Sequence, residues 1–327
     1  MEKGRLDGLD ALRGIAALCV VAFHVWPLQA VNGYLAVDLF FMLSGYVMAR
    51  TFEPRMAQGM SAGAFLRMRI LRLWPTMLLG GLLCLPFFLA DHGPVLWPVA
   101  LANLIMIPVP MFGQAFLLNG PAWSIFFELL ANGLHAAGLW RLAPVRLVLL
   151  ACTMAVVLAC FAAFTMDSLE VGMRTEGFLA GIPRVLLSYT LGIVLFRWWR
   201  DRPPAPVPGW IALALLPLYI AFNGWQGGYR WPVDFLFIVF GVPLAMAGAL
   251  RMRNVPRWTV WLGAISFPLY AVHESVLLAG ERLGVAPPVQ IAAALLLAWI
   301  VARAEPAMRA AVNGSIAGLG RRAFTNR

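Results

Sequence analysis

The sequence has few charged residues: Asp, Glu, Lys and Arg together make up 12% of its 327 residues, about half the usual share in globular domains. A soluble protein with so few charges could not cover its surface. Hydrophobic residues reach 61% and fall in repeated runs of roughly 20 residues, the length of a membrane-spanning helix. The composition therefore predicts an all-α integral membrane protein and excludes a large soluble domain.

Cysteine is also scarce, and its pattern excludes two kinds of site. The four cysteines all lie within apolar runs, and no two of them have the spacing of paired metal ligands. They are Cys19, Cys84, Cys152 and Cys160. Neither a disulfide framework nor a zinc site is indicated, and we expect no metal.

Basic residues outnumber acidic ones, for a formal net charge of +10. In a soluble chain this excess would suggest nucleic acid. Here the basic residues cluster in short segments between apolar runs, which is the positive-inside pattern of membrane proteins, so no nucleic-acid partner is expected. Lys3 and Arg5 precede the first apolar run, and no small-residue cleavage site follows them. We interpret this run as an uncleaved first helix.

The apolar runs number eleven. They cover residues 10–29, 34–51, 72–90, 94–111, 121–139, 146–165, 178–198, 209–226, 232–250, 259–280 and 286–303. If every run crossed, the basic loop with Arg141 and Arg146 would lie outside, against the positive-inside rule. If one run between residues 90 and 140 does not cross, the basic loops again lie on the cytoplasmic side.

The run 94–111 is the weakest candidate, because it contains four prolines and lipid offers no substitute for missing backbone donors. The sequence thus predicts about ten transmembrane helices, with both termini cytoplasmic and one re-entrant or outer-lying segment near 94–111. Residues 1–310 form a single transmembrane domain in this interpretation, and residues 311–327 form a short basic cytoplasmic tail.

Ionisable residues inside membrane spans are costly and usually functional. Arg13 and His24 lie on the first helix, eleven positions and therefore about 16 Å apart. That spacing is close to three full turns, so both should face the same side, with Arg13 at the cytoplasmic end and His24 in the outer half. The alternatives are a snorkelling arginine and a hydrogen-bonded packing histidine.

Three further groups are predicted at the depth of His24. Asp38 begins the second helix on the outer side, where it could orient the imidazole or simply cap its helix. Glu128 follows the segment Pro121–Ser124, and His273 follows the segment Ser266–Tyr270. All three are candidate catalytic residues together with His24.

An arginine set is predicted at the cytoplasmic face. Arg67, Arg69 and Arg72 lie in the stretch FLRMRILRLWP at the start of the third helix. Arginine forks suit phosphates, although topology alone also predicts basic residues there. With Arg13, these side chains are the candidate donor-binding residues, and a conduit from them to His24 is the simplest geometry that uses both groups.

Five segments, in order, together resemble the membrane-bound acyltransferase 3 family. They read LDGLDALRGIAALCVVAFHV, YLAVDLFFMLSGYVMAR, RMRILRLWP, PAWSIFFELL and SFPLYAVHE. Arg13 and His24 match the family's Arg-x10-His pattern. One departure is Phe267, where the family has tyrosine. A second is the absence of the esterase-like extracytoplasmic domain that follows the membrane region in many members, so a stand-alone type is expected.

The resemblance implies a multi-pass protein of the bacterial inner membrane, in contact with membrane lipids. The expected reaction moves an acyl group, acetyl by default, from cytoplasmic acyl-CoA to a hydroxyl of a saccharide or lipid-linked glycan. In the family, the positions of Arg13 and His24 are essential, and the arginine stretch is linked to coenzyme A. His24 would act as general base or as acyl acceptor.

Two other classes of function remain open at this point. A proton-coupled secondary transporter would also need buried His, Asp and Glu. Against it, the sequence has no repeated halves and no paired broken helices. A purely structural membrane subunit would leave the buried polar groups without a purpose.

Overall fold

The computed structural model of the protein describes residues 6–199, 207–226, 231–252 and 255–325, with the side chains of all but 224–226 and 315–325. These residues contain thirteen α-helices and no named strand. The helices are α1 Asp7–Val25, α2 Ala36–Thr51, α3 Glu53–Ala57, α4 Ala62–His92, α5 Trp97–Leu104, α6 Ala122–Ala137, α7 Pro144–Phe161, α8 Gly181–Trp199, α9 Gly209–Gln226, α10 Trp231–Leu236, α11 Val242–Ala249, α12 Arg257–Arg282 and α13 Pro287–Thr325.

Among the described residues, seven helical segments are long and apolar enough to cross a membrane. They are Asp7–Val25, Val31–Ala57, Ala62–His92, Pro144–Met166, Trp231–Ala249, Arg257–Arg282 and Pro287–Gly314. The predicted all-α membrane fold is thereby confirmed. Helices α6, α8 and α9 coincide with three more predicted spans without meeting this criterion, so the count of ten stays a prediction.

The weak run 94–111 forms only α5, whose eight residues would span about 12 Å. The chain then turns back without regular structure, and Asn103 satisfies the backbone of that turn. Its Nδ2 donates to the carbonyls of Ile107 and Ala115, and its Oδ1 accepts from the N–H of Leu118. A segment of this length does not cross a bilayer, as the prolines led us to expect.

Local signals set several helix ends. The Ser61 hydroxyl accepts from the N–H of Ala64 and caps α4. Pro144 stands in the first turn of α7, where its missing N–H costs nothing. Gly93 ends α4 with φ +69°, a conformation that glycine adopts without strain.

Two helix pairs carry the core, and small residues let each pair approach closely. Helix α1 packs along α12, and α2 packs along α8. A Cβ on Gly263 would lie 2.3 Å from the Asp10 carbonyl oxygen, and one on Gly45 would lie 2.0 Å from that of Tyr189. Backbone contact of this kind holds helices together where lipid provides no hydrophobic drive.

Helices α7 and α13 lie at the periphery. Only 22% of the apolar stretch in Pro144–Met166 and 17% of that in Pro287–Gly314 is buried, and many of the exposed residues there are large and apolar. These include Leu149, Val156, Leu296, Trp299 and Ile300. Such faces suit contact with lipid chains.

Helix α13 continues to Thr325, past the boundary predicted at residue 310. Some of the basic residues that lie in short segments next to the apolar runs are outside the described residues: Lys3, Arg5, Arg200, Arg202 and Arg253. The same holds for residues 203–206 of the proline-rich stretch 203–208, which the sequence predicts as a turn between two spans.

Candidate functional site

A cavity of about 380 Å³ lies between α1, α2, α4, α6, α12 and α13, and we call it the arginine cavity. Its lining has five arginines against three carboxylates, an excess of two positive charges. These side chains are Arg13, Arg50, Arg69, Arg72, Arg309, Asp10, Glu128 and Glu305. Ligand sites span roughly 300–1,000 Å³, and the excess charge favours an anion.

Arg13 is anchored at the crossing of α1 and α12. Its Nε donates to the Ser266 hydroxyl at 2.9 Å, and its Nη2 donates to the Gly263 carbonyl at 2.6 Å. Asp10, one turn earlier, forms an ion pair with it at 3.1 Å. These contacts hold the guanidinium in the wall of the arginine cavity, beside two of the arginines with which the sequence analysis grouped it.

The arginines of α4 divide between two faces. Arg69 and Arg72 are three residues apart and both line the arginine cavity. The Arg72 guanidinium has no hydrogen bond or ion pair with any residue that the structure describes. The expectation that Arg67 lies with these two arginines is corrected, because Arg67 is outside the cavity lining. Its Nη2 donates to Asn313 at 3.1 Å on the exposed side of the helix.

Sequence reasoning missed Arg309, which lies beyond the predicted end of the last span. Its Nη2 donates to Glu305 at 2.6 Å and to the backbone carbonyl of Arg72 at 3.2 Å. Glu305 in turn accepts from the Thr76 hydroxyl at 3.1 Å. The spacing of Glu305 and Arg309 at i and i+4 indicated that the last helix continues, but the last apolar run ends at residue 303. Arg50, in the last turn of α2, was also missed.

A second and much smaller cavity, of about 30 Å³, lies at the other end of α1, and we call it the histidine pocket. His24 is exposed in the last turn of α1 and lines this pocket. The remaining polar and aromatic lining residues are Phe23, Tyr34, Trp123, Glu170, Arg184 and Tyr270. The pocket therefore combines an accessible imidazole with aromatic walls.

The structure brings His24 and His273 together, with ring centroids 5.0 Å apart. The Nδ1 of His273 lies 2.9 Å from the carbonyl oxygen of Tyr270 and 3.2 Å from that of Leu269. Because carbonyls only accept, Nδ1 must carry the proton, which leaves Nε2 as an acceptor. This Nε2 has no hydrogen-bond partner among the described residues.

The expected placement of Glu128 beside His24 is corrected. Glu128 lines the arginine cavity, where its Oε1 accepts from Arg69 at 2.6 Å and from the Ser44 hydroxyl at 2.7 Å. Helix α6 begins at Ala122, already next to the histidine pocket, so Glu128 lies about 9 Å further along the axis. That distance places it among the arginines.

The expected role of Asp38 as the group that orients His24 is also corrected. The Asp38 carboxylate is fully buried and faces α8. Its Oδ2 accepts from Arg184 Nη2 at 2.7 Å and Nε at 3.1 Å, and its Oδ1 accepts from Ser188 at 3.0 Å. The carboxylate thus neutralises Arg184, which itself lines the histidine pocket between the rings of Tyr34 and Trp123.

A buried polar network supports this wall of the pocket. Arg184 Nη2 donates to the Tyr34 carbonyl at 2.9 Å, and the Tyr34 hydroxyl donates to Asp234 at 2.6 Å. Asp234 also accepts from Asn32 and Tyr219, both at 2.6 Å. Sequence reasoning missed Arg184 and Asp234, although each is an ionisable residue inside a predicted span, which was a usable signal.

Tyr270 lines both cavities and stands between them. Its hydroxyl lies 2.6 Å from the Ser124 hydroxyl, where either can be the donor, and 3.2 Å from the Pro121 carbonyl. The edge of its ring packs against Phe40 with centroids 5.8 Å apart. The arginine cavity and the histidine pocket are therefore consecutive compartments that meet at Tyr270.

Comparison with known proteins matches residues 6–303 to an acyltransferase domain family. A Rhizobium radiobacter protein, Protein 2 in picA locus, is 33% identical over 47% of this chain and 93% of its own length. Acyltransferase MdmB of Streptomyces mycarofaciens is 27% identical over 85% of this chain and 81% of its own.

A further relative is YrhL of Bacillus subtilis, whose name proposes a peptidoglycan O-acetyltransferase. It is 23% identical over 83% of this chain, which spans only 48% of that relative's length. No solved structure matches the chain significantly. Because the family match covers nearly the whole chain, this multi-pass membrane protein belongs to the membrane-bound acyltransferase 3 family and is an O-acyltransferase.

Proposed function

We propose that this protein transfers an acyl group, acetyl by default, from cytoplasmic acyl-CoA to a hydroxyl of a saccharide or lipid-linked glycan. The observation that carries the proposal is the arrangement of two consecutive compartments. One is rich in arginine, the other contains an accessible histidine, and Tyr270 stands where they meet. A donor that enters from one face can meet an acceptor that enters from the other.

In this proposal the phosphates of coenzyme A bind in the arginine cavity. Arg72 supports the assignment because its guanidinium lines the cavity without a protein partner in the described chain. Phosphate oxygens would supply the charge-assisted hydrogen bonds that it lacks. The apolar side chains of Phe40, Phe41 and Phe267 line the same cavity and suit the pantetheine arm.

His24 acts as general base in the transfer. It takes the proton of the acceptor hydroxyl as the hydroxyl oxygen attacks the thioester carbon. A C–O bond forms, the C–S bond breaks, and the coenzyme A thiolate recovers the proton from the imidazolium. His273 is a positioning residue, because its fixed Nδ1–H tautomer leaves Nε2 free to accept a hydrogen bond beside His24.

A second route uses the same geometry, with His24 as the nucleophile that holds the acyl group before the acceptor arrives. The two routes differ in a covalent intermediate. Rapid quenching of the enzyme with labelled acyl-CoA, in the absence of acceptor, should reveal an acylated His24 peptide only on the nucleophilic route. An unlabelled peptide at full donor occupancy supports general-base transfer.

The acceptor is proposed from two observations. The histidine pocket, at about 30 Å³, has room for the acceptor hydroxyl rather than for a whole sugar ring, and aromatic side chains such as those around it suit the apolar face of such a ring. In addition, the name of the Bacillus subtilis relative refers to a peptidoglycan substrate. We place the protein in a bacterial inner membrane, with the acceptor presented at the outer face. Mass spectrometry of surface glycans with and without the gene would identify the modified hydroxyl.

Donor binding is the sharpest test of the proposed function. Purified protein in lipid nanodiscs should bind acetyl-CoA, and Arg72→Gln should weaken binding by about tenfold or more, the value of one charge-assisted hydrogen bond. Arg67→Gln is the matched control, because Arg67 lies on the same helix but outside the cavity. Equal binding by wild type and Arg72→Gln would remove the arginine cavity from the donor site. Absence of binding in the wild-type protein would remove acetyl-CoA as the donor.

A further inference from the structure

We propose that the hydroxyls of Tyr270 and Ser124 form the oxyanion site of this acyltransferase. The inference rests on the proposed function, because it concerns the thioester that has to pass from the arginine cavity towards His24. It assigns a catalytic role to two residues that lie between these compartments.

The first support is position. A thioester whose coenzyme A phosphates lie in the arginine cavity reaches His24 only by passing the junction of the two cavities. Tyr270 lines both cavities, and Ser124 lines the arginine cavity beside it. Tyr270 also packs against His273, with ring centroids 5.9 Å apart. The Tyr270 ring is thus in contact with His273, and Tyr270 shares the lining of the histidine pocket with His24.

The second support is hydrogen-bonding capacity. The two hydroxyls share one hydrogen bond of 2.6 Å, and the Pro121 carbonyl lies 3.2 Å from each of their oxygens. One of the two protons is therefore directed at a neutral carbonyl at a long distance. An oxyanion is a stronger acceptor than an amide carbonyl, so the developing negative charge would take over this hydrogen bond.

The third support is the helix that carries Ser124. Helix α6 has sixteen residues and begins at Ala122, so its N-terminal end points at the same junction. The positive end of a helix dipole favours negative charge, and it does so more strongly in a site from which water is excluded. Tyr270 is 5% exposed and Ser124 is 3% exposed, so the junction meets that condition.

The step balances without a new reactant. The acceptor oxygen attacks the carbonyl carbon, His24 takes the proton, and the carbonyl oxygen carries the negative charge. The Tyr270 hydroxyl turns its hydrogen bond from the Pro121 carbonyl to this oxygen, the Ser124 hydroxyl supports it by donating to Tyr270, and both keep their protons. Collapse of the intermediate breaks the C–S bond, and the thiolate takes the proton from His24.

The test compares Tyr270→Phe with wild type in purified protein, with acetyl-CoA and a soluble saccharide acceptor. Loss of one oxyanion donor should lower kcat by about 10²–10³-fold, with Kd for acetyl-CoA unchanged. Ser124→Ala should lower kcat less, because the Tyr270 hydroxyl remains. Tyr46→Phe is the matched control, since Tyr46 is buried against Phe196 and lines neither cavity.

A spectroscopic measurement separates catalysis from a structural role. The stretching frequency of an isotope-labelled thioester carbonyl in bound acetyl-CoA should be lower in wild type than in Tyr270→Phe, because the hydroxyl polarises it. An unchanged kcat in Tyr270→Phe, or an unchanged carbonyl frequency, overturns the proposal. Failure of wild-type protein to bind or use acetyl-CoA instead overturns the proposed function itself.

Discussion

His24, which lines the histidine pocket, packs against the buried His273 with ring centroids 5.0 Å apart, although their helices lie at opposite ends of the chain. The contact follows from the packing of α1 along α12, which also joins Arg13 to Ser266 at the other end of the same interface. One helix pair therefore holds His24, in the lining of the histidine pocket, against the buried His273, and presents Arg13 to the arginine cavity.

Replacing the proposed base should abolish transfer without unfolding the protein. For His24→Gln we expect a loss in kcat of about 10²–10⁴-fold, the usual contribution of a positioned base. Binding of acetyl-CoA should be unchanged, because His24 lies outside the arginine cavity. Steady-state transfer assays measure kcat, and equilibrium binding measures Kd for acetyl-CoA. His92→Gln, at the exposed end of α4, is the control, and wild-type kcat in His24→Gln would rule out the mechanism.

His273 should affect kcat rather than donor KM. In His273→Leu the acceptor Nε2 is lost while a side chain of similar volume fills the buried site, so His24 loses a neighbour that can orient it. We expect a smaller fall in kcat than for His24→Gln, with donor KM within twofold of wild type, about the limit of what such assays resolve. A parallel rise in donor KM would show that His273 only supports the fold of α12.

Glu128 offers a test in which a loss of charge improves binding. Glu128→Gln keeps the hydrogen-bond geometry with Ser44 but removes one negative charge from the arginine cavity. The charge of Arg69 is then no longer neutralised by a carboxylate, so acetyl-CoA should bind more tightly than in wild type. This gain in affinity should shrink at high salt. Calorimetric titration at two ionic strengths measures this. Unchanged donor affinity with a large loss of kcat would contradict this prediction and would instead support a catalytic role of Glu128 together with His24.

Asp38 should matter for stability before it matters for catalysis. Asp38→Asn leaves the buried Arg184 guanidinium without its charge partner, which typically costs about 3–5 kcal/mol. Thermal unfolding in detergent should show a clear fall in Tm. The matched control is Asp91→Asn, which breaks an exposed ion pair with Arg282 worth about 0–1 kcal/mol. Equal Tm values for the two variants would contradict the structural role of Asp38.

The sequence by itself determined that this is an all-α membrane protein, because hydropathy over a span is a local property. It also determined that Arg13 and His24 lie at opposite ends of one helix face, because the rise and turn of an α-helix follow from spacing alone. The short α5 could be foreseen for the same reason, since its prolines act locally.

The tertiary structure decided which polar groups meet. Asp38 and Glu128 each have a carboxylate that several arginines or histidines could neutralise, and sequence position alone did not indicate which. Asp38 pairs with Arg184 because α2 packs on α8. Glu128 pairs with Arg69 because of the depth at which α6 begins. Arg309 and Tyr270 line the arginine cavity for the same kind of reason. Their positions depend on how α13 and α12, late in the chain, pack against the first helices. For Arg13 and His24, the pairing with Ser266 and His273 was likewise a result of the α1–α12 contact.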